Sequence, residues 1–382
     1  MVEVKDNIMR VSLKRTIDDS YDLVFGFNLF PQIAQDLAAS PIGSKYAIIT
    51  DSNVRPIYAG VLEAALREAE LPSETFSFEA GEPNKTMETC MNIMGEMQKL
   101  NFGRDSAILA LGGGVVGDMA GFMAAIFNRG VPYVQIPTTI LAQADSSIGG
   151  KTAVDTQYGK NLVGAFKQPA RVYIDTATLH TLPDREYRSG LAETVKHGFI
   201  RDEAFFRYLQ ENAGLVLEKS PESSLYIAKN NCRIKGTVVE IDPDEKTLRK
   251  ILNYGHTAGH AIEKLSVDNF QRGQSADYFL HGETISMGMM VAGSIAVKRG
   301  YLSQDALDQQ GQLLHAFGLP TKVPKELSDD AIIEFTGRDK KAKDGVAQYV
   351  LPVSIGKMHE FDGKYSSFVP NEIVRASLQQ NR

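Results

Sequence analysis

The sequence predicts an α/β N-terminal half, built on a parallel sheet, followed by a mainly α-helical C-terminal half. Three observations predict this. Short apolar runs alternate with helix-spaced segments up to about residue 180, the pattern of strands joined by crossover helices. Beyond Thr181, β-branched runs become sparse and helical segments follow one another. Finally, 382 residues exceed the size at which one hydrophobic core usually stops growing, so two domains are expected, over 1–180 and 181–382.

The first strand expected is 46–50, a continuous apolar run that ends at Asp51. Residues 55–70 have helical spacing and many good helix formers. Residues 106–111 form a second buried run leading straight into glycines. Residues 133–136, opened by a proline, and 171–175 give two more. The C-terminal half reads as helices over 184–200, 203–218, 221–239, 257–265, 283–299 and 304–317, with a late strand at 347–351. Residues 265–280 are polar and read as an exposed loop insertion. No fixed-period repeat or low-complexity tract is present.

Composition narrows the function classes. Hydrophobic residues make up 43% and charged residues 23%, an ordinary globular balance. A net charge of -6 argues against non-specific nucleic-acid binding, which needs a basic face. It leaves room for a small anionic ligand in a locally basic pocket. The two cysteines, Cys90 and Cys232, form no CxxC pair and read as buried thiols of a reducing compartment. The first 14 residues hold no long apolar run, so neither a signal peptide nor a membrane span is expected, and the cytoplasm is the default location.

Three constellations carry chemistry. The segment GGGVVGD at 112–118 follows a strand and enters a helix, where glycines and unpaired N–H groups can cradle a phosphate; a plain tight turn is the competing reading. Asp51, at a strand end, could accept ribose hydroxyls and would repel a 2′-phosphate, favouring NAD over NADP; an ordinary capping residue explains it equally well. Of seven histidines, His256 and His260 stand at i and i+4 and His281 follows soon after, a donor set suited to zinc. Glu193 offers a carboxylate, although Glu193 and Lys196 three apart on a helix read first as a surface ion pair. The missing HExxH glutamate excludes a metalloprotease. A P-loop fails because its first glycine would have to stand where Asp145 is. Lys151, Lys160, Lys235, Arg249 and the pair Lys340 and Lys341 are cations that together suit a substrate carrying phosphate and carboxylate.

Taken together, the chain resembles the 3-dehydroquinate synthases of the sugar phosphate cyclase family, from Asp51 to about Gly356. The resemblance rests on GEPNKT (81–86), GGGVVGD (112–118), PTT (137–139), AQADSS (142–147), GKT (150–152), GKNLVG (159–164), GLAE (190–193), LNYGHT (252–257), GHAIE (259–263) and HGE (281–283), all in order. It implies a dehydroquinate synthase-like fold: a Rossmann-like NAD-binding domain, a helical metal-binding domain and a cleft between them. The matching metal ligands for zinc or cobalt are Glu193, His256 and His281, with His260 moved to the substrate. NAD contacts carry over to Asp51, Asn53, Glu82, Lys85, Gly113, Gly114, Val115, Asp118, Thr138, Thr139, Asp145, Leu179 and Thr181. Substrate contacts carry over to Asp145, Lys151, Asn161, Lys196, Lys235, Arg249, Asn253, His260 and Lys341. Lys160 sits where the two sites meet. Arg129 matches an arginine given across a homodimer interface to the substrate phosphate.

The resemblance further implies 3-deoxy-D-arabino-heptulosonate 7-phosphate as substrate. It is oxidised transiently by NAD, loses phosphate, is reduced again, opens and closes by an aldol step, with no net redox change. Lys151, Asn161, His260, Lys341 and a partner's Arg129 would hold the phosphate, and Lys235 and Arg249 the carboxylate. Sister activities on aminated heptulosonate phosphate, glucose 6-phosphate or sedoheptulose 7-phosphate share the pattern. Glycerol and iron-dependent alcohol dehydrogenases share the general architecture but leave the lysine cluster unexplained. A non-enzymatic NAD-binding regulator leaves the metal donors unexplained. Tyr254 and Ala258 depart from the commoner family choices, which points to altered packing behind His256.

Overall fold

A computed structural model of the chain describes residues 4–5, 8–9, 16, 18–337 and 345–382. Lys340 and Lys341 lie outside the described residues. After a short antiparallel ladder of β1 (Val4–Lys5) and β2 (Ile8–Met9), the N-terminal half is a six-stranded sheet. Its strands are β3 (Asp22–Gly26), β4 (Lys45–Asp51), β5 (Ser73–Phe78), β6 (Ser106–Gly112), β7 (Tyr133–Pro137) and β10 (Arg171–Asp175). The spatial order is β3-β10-β7-β6-β4-β5, with every pairing parallel. The four strands expected from apolar runs are the four inner ones. The two edge strands are largely half exposed; β5 is interrupted by polar residues, and β3 holds an apolar run of only three, Leu23 to Phe25.

Crossover helices cover both faces: α1 (Phe30–Ala39), α2 (Gly60–Glu68), α3 (Met87–Lys99) and α4 (Gly114–Ile126). Alternate residues of each inner strand serve opposite cores, as a period of two requires. Tyr46, Ile48, Ala107 and Leu109 pack with Ile33, Leu37, Leu62 and Leu66. Ala47, Ile49, Ile108 and Ala110 pack with Cys90, Met94, Met119 and Met123. The chain runs outward from β4 to β5 and then returns to the other side at β6. This reversal leaves a crevice at the carboxyl ends of β4 and β6, where such sheets bind ligands. A hairpin of β8 (Lys151–Thr156) and β9 (Gly159–Phe166) projects before β10.

The C-terminal half packs α5 (Asp184–Arg201), α6 (Glu203–Glu211), α7 (Ala213–Leu217), α8 (Pro221–Ile241), α9 (His256–Gln271), α10 (His281–Lys298), α11 (Gln304–Ala316), α12 (Asp329–Gly337) and α13 (Asn371–Gln380) around one large apolar core. Two small ladders complete it, β11 (Gln348–Tyr349) with β14 (Ser367–Phe368) and β12 (Pro352–Ser354) with β13 (Lys357–Met358). The helix expected over 203–218 breaks at Asn212. Helix α9 continues to Gln271, so only part of the expected loop over 265–280 is irregular, and the strand at 347–351 shrinks to two residues. Among the described residues no helix is long and apolar enough to cross a membrane.

One helix crossing sets up the site. A Cβ on Gly282 would come 1.8 Å from Ser189 O, and one on Gly288 would come 2.0 Å from Gly255 O. Only glycine permits α10 to lie this close to α5 and to the turn that opens α9. That closeness brings the first residues of α9 and α10 to the middle of α5.

Candidate active site

Those three helix positions are His256, His281 and Glu193. Glu193 Oε1 faces His256 Nε2 at 3.5 Å and His281 Nε2 at 3.7 Å. Two ligands of a tetrahedral ion at about 2.1 Å stand roughly 3.4 Å apart, so this spacing suits a small divalent cation. Glu193 is fully buried and its Oε1 accepts no hydrogen bond, an arrangement that asks for a cation. Burial pushes its carboxyl up, but Lys196, then His256 and His281, outweigh burial and hold it well below the usual carboxylate range. His256 is held uncharged by burial and by Lys196. Burial opposes a charge on His281 too, yet Glu193 and Glu263 raise it to about 9.

Each imidazole is oriented from behind. His256 Nδ1 lies 3.1 Å from Tyr254 O, and His281 Nδ1 lies 3.1 Å from Glu263 Oε2. Tyr254 is buried, stacks on Phe199 at 5.6 Å and donates its hydroxyl to Gln310 Oε1 at 2.9 Å, which fixes the carbonyl behind His256. His260, one turn along α9, stands with its ring 5.1 Å from that of His256 and 5.8 Å from that of His281. A three-imidazole cluster is thus also within reach. The unpartnered carboxylate oxygen favours Glu193 as the third donor. His260 is exposed to solvent, and desolvation by the groups crowded around its ring, with the neighbouring His281, holds its pKa down to about 4. Asp145, Glu193 and His197 also converge, but Lys235 already pairs with Asp145 at 2.6 Å.

The ion pair of Lys196 with Glu193 is not on the surface. Both side chains are 1% exposed, so the expectation of a solvated i,i+3 pair is corrected by the packing of α5 in the core. Around it stand the other cations. Lys235 Nζ also donates to Asp145 O at 2.5 Å. Burial opposes ionisation of Asp145, but Lys235 and Lys196 hold its carboxyl well down. Arg249 is buried and donates to Pro243 O at 2.6 Å and Gly149 O at 3.4 Å, which leaves further N–H groups for a ligand. Lys151 pairs with Glu245, which also accepts from Asn253 Nδ2 at 2.7 Å. Sequence reasoning missed Glu245, because a charged turn looks solvated, and gave no role to Glu263 inside its motif.

At the sheet's crevice, α4 begins at Gly114 with no side-chain cap, leaving its first N–H groups open. A Cβ on Gly113 would meet Thr139 Cγ2 at 3.1 Å, and one on Gly114 would meet Ser146 Oγ at 3.2 Å, so the cradle is one that side chains would crowd. Val115 follows in the first turn. Thr138 is buried with an unpartnered hydroxyl, and Thr139 Oγ1 accepts from Ala142 N at 3.1 Å. Asp51 Oδ1 caps Asn53 N and Val54 N, both at 2.9 Å, while its other oxygen accepts nothing among the described residues. The capping and ligand readings of Asp51 are therefore compatible. Tyr58 bonds Thr181 Oγ1 at 2.6 Å, and Leu179 packs its side chain into the C-terminal core.

Further contacts tie the N-terminal half together, and one, from Lys160 to Glu263, crosses to the C-terminal half. Lys85 donates to Asp118 Oδ2 at 2.6 Å and to Asn161 Oδ1 at 2.5 Å. Lys160 Nζ lies 2.7 Å from Glu263 Oε1 and 3.8 Å from Glu82 Oε1. Arg129 sits apart in the turn after α4, with φ of 71° beside Asn128 at 49°, and makes no hydrogen bond or ion pair among the described residues.

Residues 75–189 match the family model described as 3-dehydroquinate synthase N-terminal, and residues 190–342 match 3-dehydroquinate synthase C-terminal. A 3-dehydroquinate synthase of Desulforamulus reducens is 43% identical over 90% of this chain and 93% of its own. Among solved structures, a 2-deoxy-scyllo-inosose synthase complexed with carbaglucose-6-phosphate, NAD+ and Co2+ aligns with a TM-score of 0.83 at 26% identity, over 94% of this chain and 96% of that one. A 2-epi-5-epi-valiolone synthase of Streptomyces hygroscopicus with NAD+ and Zn2+ bound also reaches 0.83 at 27% identity, over 97% and 98%. The chain belongs to the 3-dehydroquinate synthase family.

Proposed function

We propose, from that membership as premise, that the chain converts 3-deoxy-D-arabino-heptulosonate 7-phosphate to 3-dehydroquinate and phosphate. The observation that carries this reading is one cleft wall that holds both a three-donor cation site and buried cations. Glu193, His256 and His281 stand there among Lys196, Lys235 and Arg249. A neutral polyol would leave the spare N–H donors of Arg249 and this gathering of lysines without a use, whereas a phosphorylated sugar acid employs them. For this reason the dehydrogenase reading is set aside.

Glu193, His256 and His281 would hold the divalent cation. Asp51, the glycines at 113 and 114, Thr138 and Thr139 would hold NAD. When bound, NAD supplies a reversible hydride acceptor and the cation supplies a Lewis acid for vicinal hydroxyls. The chain's own residues then have an orienting task, since one flexible substrate must be held through several steps. Arg249, with N–H groups to spare on both terminal nitrogens, suits the carboxylate, and Lys235 lies in the same buried region. Lys151, Asn161 and the partner's Arg129 suit the phosphate. His260 is uncharged near neutrality, so it offers the phosphate one N–H and a proton-accepting nitrogen rather than a full positive charge. Loss of phosphate is the leaving step that makes the enzyme a carbon–oxygen lyase.

We infer a homodimer as well. Hairpin strand β9 is exposed along nearly its whole length and carries Leu162, Val163 and Phe166, the last 70% exposed. Such an apolar edge usually meets a partner. The cytoplasm suits two free buried cysteines. The test is a phosphate-release assay with purified protein, NAD and Zn2+ or Co2+, with and without chelator. Glucose 6-phosphate and sedoheptulose 7-phosphate run in parallel. Chelator-sensitive release from the heptulosonate alone, without NADH accumulating, is expected. Turnover of a neutral sugar phosphate instead would reassign the substrate.

A further inference from the structure

Glu263 stands between the two halves of the site. Its Oε2 accepts the Nδ1 proton of His281 at 3.1 Å, and its Oε1 accepts from Lys160 Nζ at 2.7 Å. The side chain is 12% exposed, and both carboxylate oxygens are engaged in these contacts. The first contact fixes the tautomer of His281. With Nδ1 held as the donor to Glu263, Nε2 is the nitrogen turned toward Glu193 Oε1, 3.7 Å away, and the one available to a cation.

The second contact reaches into the other domain. Lys160 belongs to β9, and its ammonium lies between Glu263 and Glu82, 3.8 Å from the latter. Glu82 opens the turn that leads to Lys85, which bonds Asp118 of α4. An unbroken set of charged contacts thus runs from the glycine cradle's helix to His281. His256 has no such link, because its Nδ1 faces a main-chain carbonyl of its own turn.

We propose that Glu263 is a positioning residue that orients His281 for the divalent cation and, through Lys160, couples cation binding to nucleotide binding. The proposal rests on the reading of Glu193, His256 and His281 as the cation's donors. Its physical basis is that one carboxylate cannot be pulled toward Lys160 without loosening its hold on His281. Any displacement of Lys160 by a nucleotide is then felt at the cation, and linkage requires the reverse effect to be equal.

The test uses Co2+ as the probe on the metal-stripped, full-length protein, followed by its visible absorption bands, with thermal unfolding as a check of the fold. Loss of such an outer partner typically costs about 10- to 100-fold in metal affinity, and E263A is expected to fall in that range with altered band intensities. E263Q, which keeps the size and one acceptor, should lose less and serves if E263A folds poorly. For coupling, the NAD Kd of the parent should differ at least about fivefold between Co2+-free and Co2+-loaded protein. In K160M that difference should fall below about twofold. Co2+ affinity within about twofold of the parent in both E263A and E263Q would overturn the positioning role. An NAD Kd in the parent that ignores Co2+, or a coupling intact in K160M, would overturn the link. If the parent itself fails to bind Co2+, the donor assignment fails instead, which keeps the two readings apart.

Discussion

Replacing Glu193 by Gln tests the cation site at its least ambiguous atom. Glu193 is 1% exposed, its Oε1 points at two imidazole nitrogens and its Oε2 faces Lys196. Structural zinc sites gain about 10–16 kcal/mol from four ligands, or roughly 3 kcal/mol for each, which is about a hundredfold in affinity. The amide keeps the shape and removes the charge. At a free metal concentration about a thousand times the parent's Kd, binding stabilises the parent by about 4 kcal/mol. A variant binding a hundredfold more weakly would gain only about 1.4 kcal/mol under the same conditions. Denaturant unfolding with and without Co2+ reads this difference directly, with no substrate present. Without metal, E193Q should also be less stable than the parent, because Lys196 loses its buried counter-charge, a change worth about 3–5 kcal/mol when the remaining charge is left uncompensated. If Co2+ stabilises E193Q as strongly as the parent, Glu193 is not a ligand, and the three-imidazole cluster with His260 takes its place.

Three further outcomes are expected. Arg249→Ala should lower kcat/KM for the carboxylate-bearing substrate by about 100-fold or more, since charged hydrogen bonds contribute about 1.5–3 kcal/mol each; an unchanged kcat/KM would refute the role. Gly282→Ala should destabilise the protein by about 3 kcal/mol or more and weaken Co2+ binding, because the new methyl would meet Ser189 O at 1.8 Å and push α10 from α5; denaturant midpoints and Co2+ titration check both. Burial pushes the Cys90 and Cys232 thiols up to about 12, so at pH 8 both should resist a thiol reagent until the chain is unfolded. Because the unfolded thiols ionise near pH 8.5, their contribution to stability is complete below that pH and is lost as pH rises toward 12. Rapid labelling of the native protein at pH 8 would contradict the burial.

What could be read from residues alone followed from how completely an element is buried. The inner strands β4, β6, β7 and β10 bury both faces, so each is an uninterrupted apolar run. Edge strand β5 alternates polar with apolar residues, and hairpin strand β9 is open to solvent, so neither carries that signal. Helix α9 outran its expected end because Asp268, Asn269 and Gln271 read as loop, while Lys264 pairs with Asp268 one turn on and supports the helix.

The sequence by itself determined the four inner strands, most of the C-terminal helices, the cradle of glycines after β6, the i,i+4 pair His256 and His260, and the family that the ordered motifs resemble. Local spacing sufficed for the elements and the histidine pair, which depend on neighbours along the chain, while the family rests on the resemblance of the ordered motifs. Tertiary structure alone decided that Glu193 and Lys196 are buried instead of solvated, and that Glu245 and Glu263 stand against the candidate site residues. Each of these turns on contacts between residues far apart in the chain. The close approach of α10 to α5, which Gly282 permits, is what places Glu193 before His281, and no pattern along one strand of sequence encodes which helix a glycine will let near.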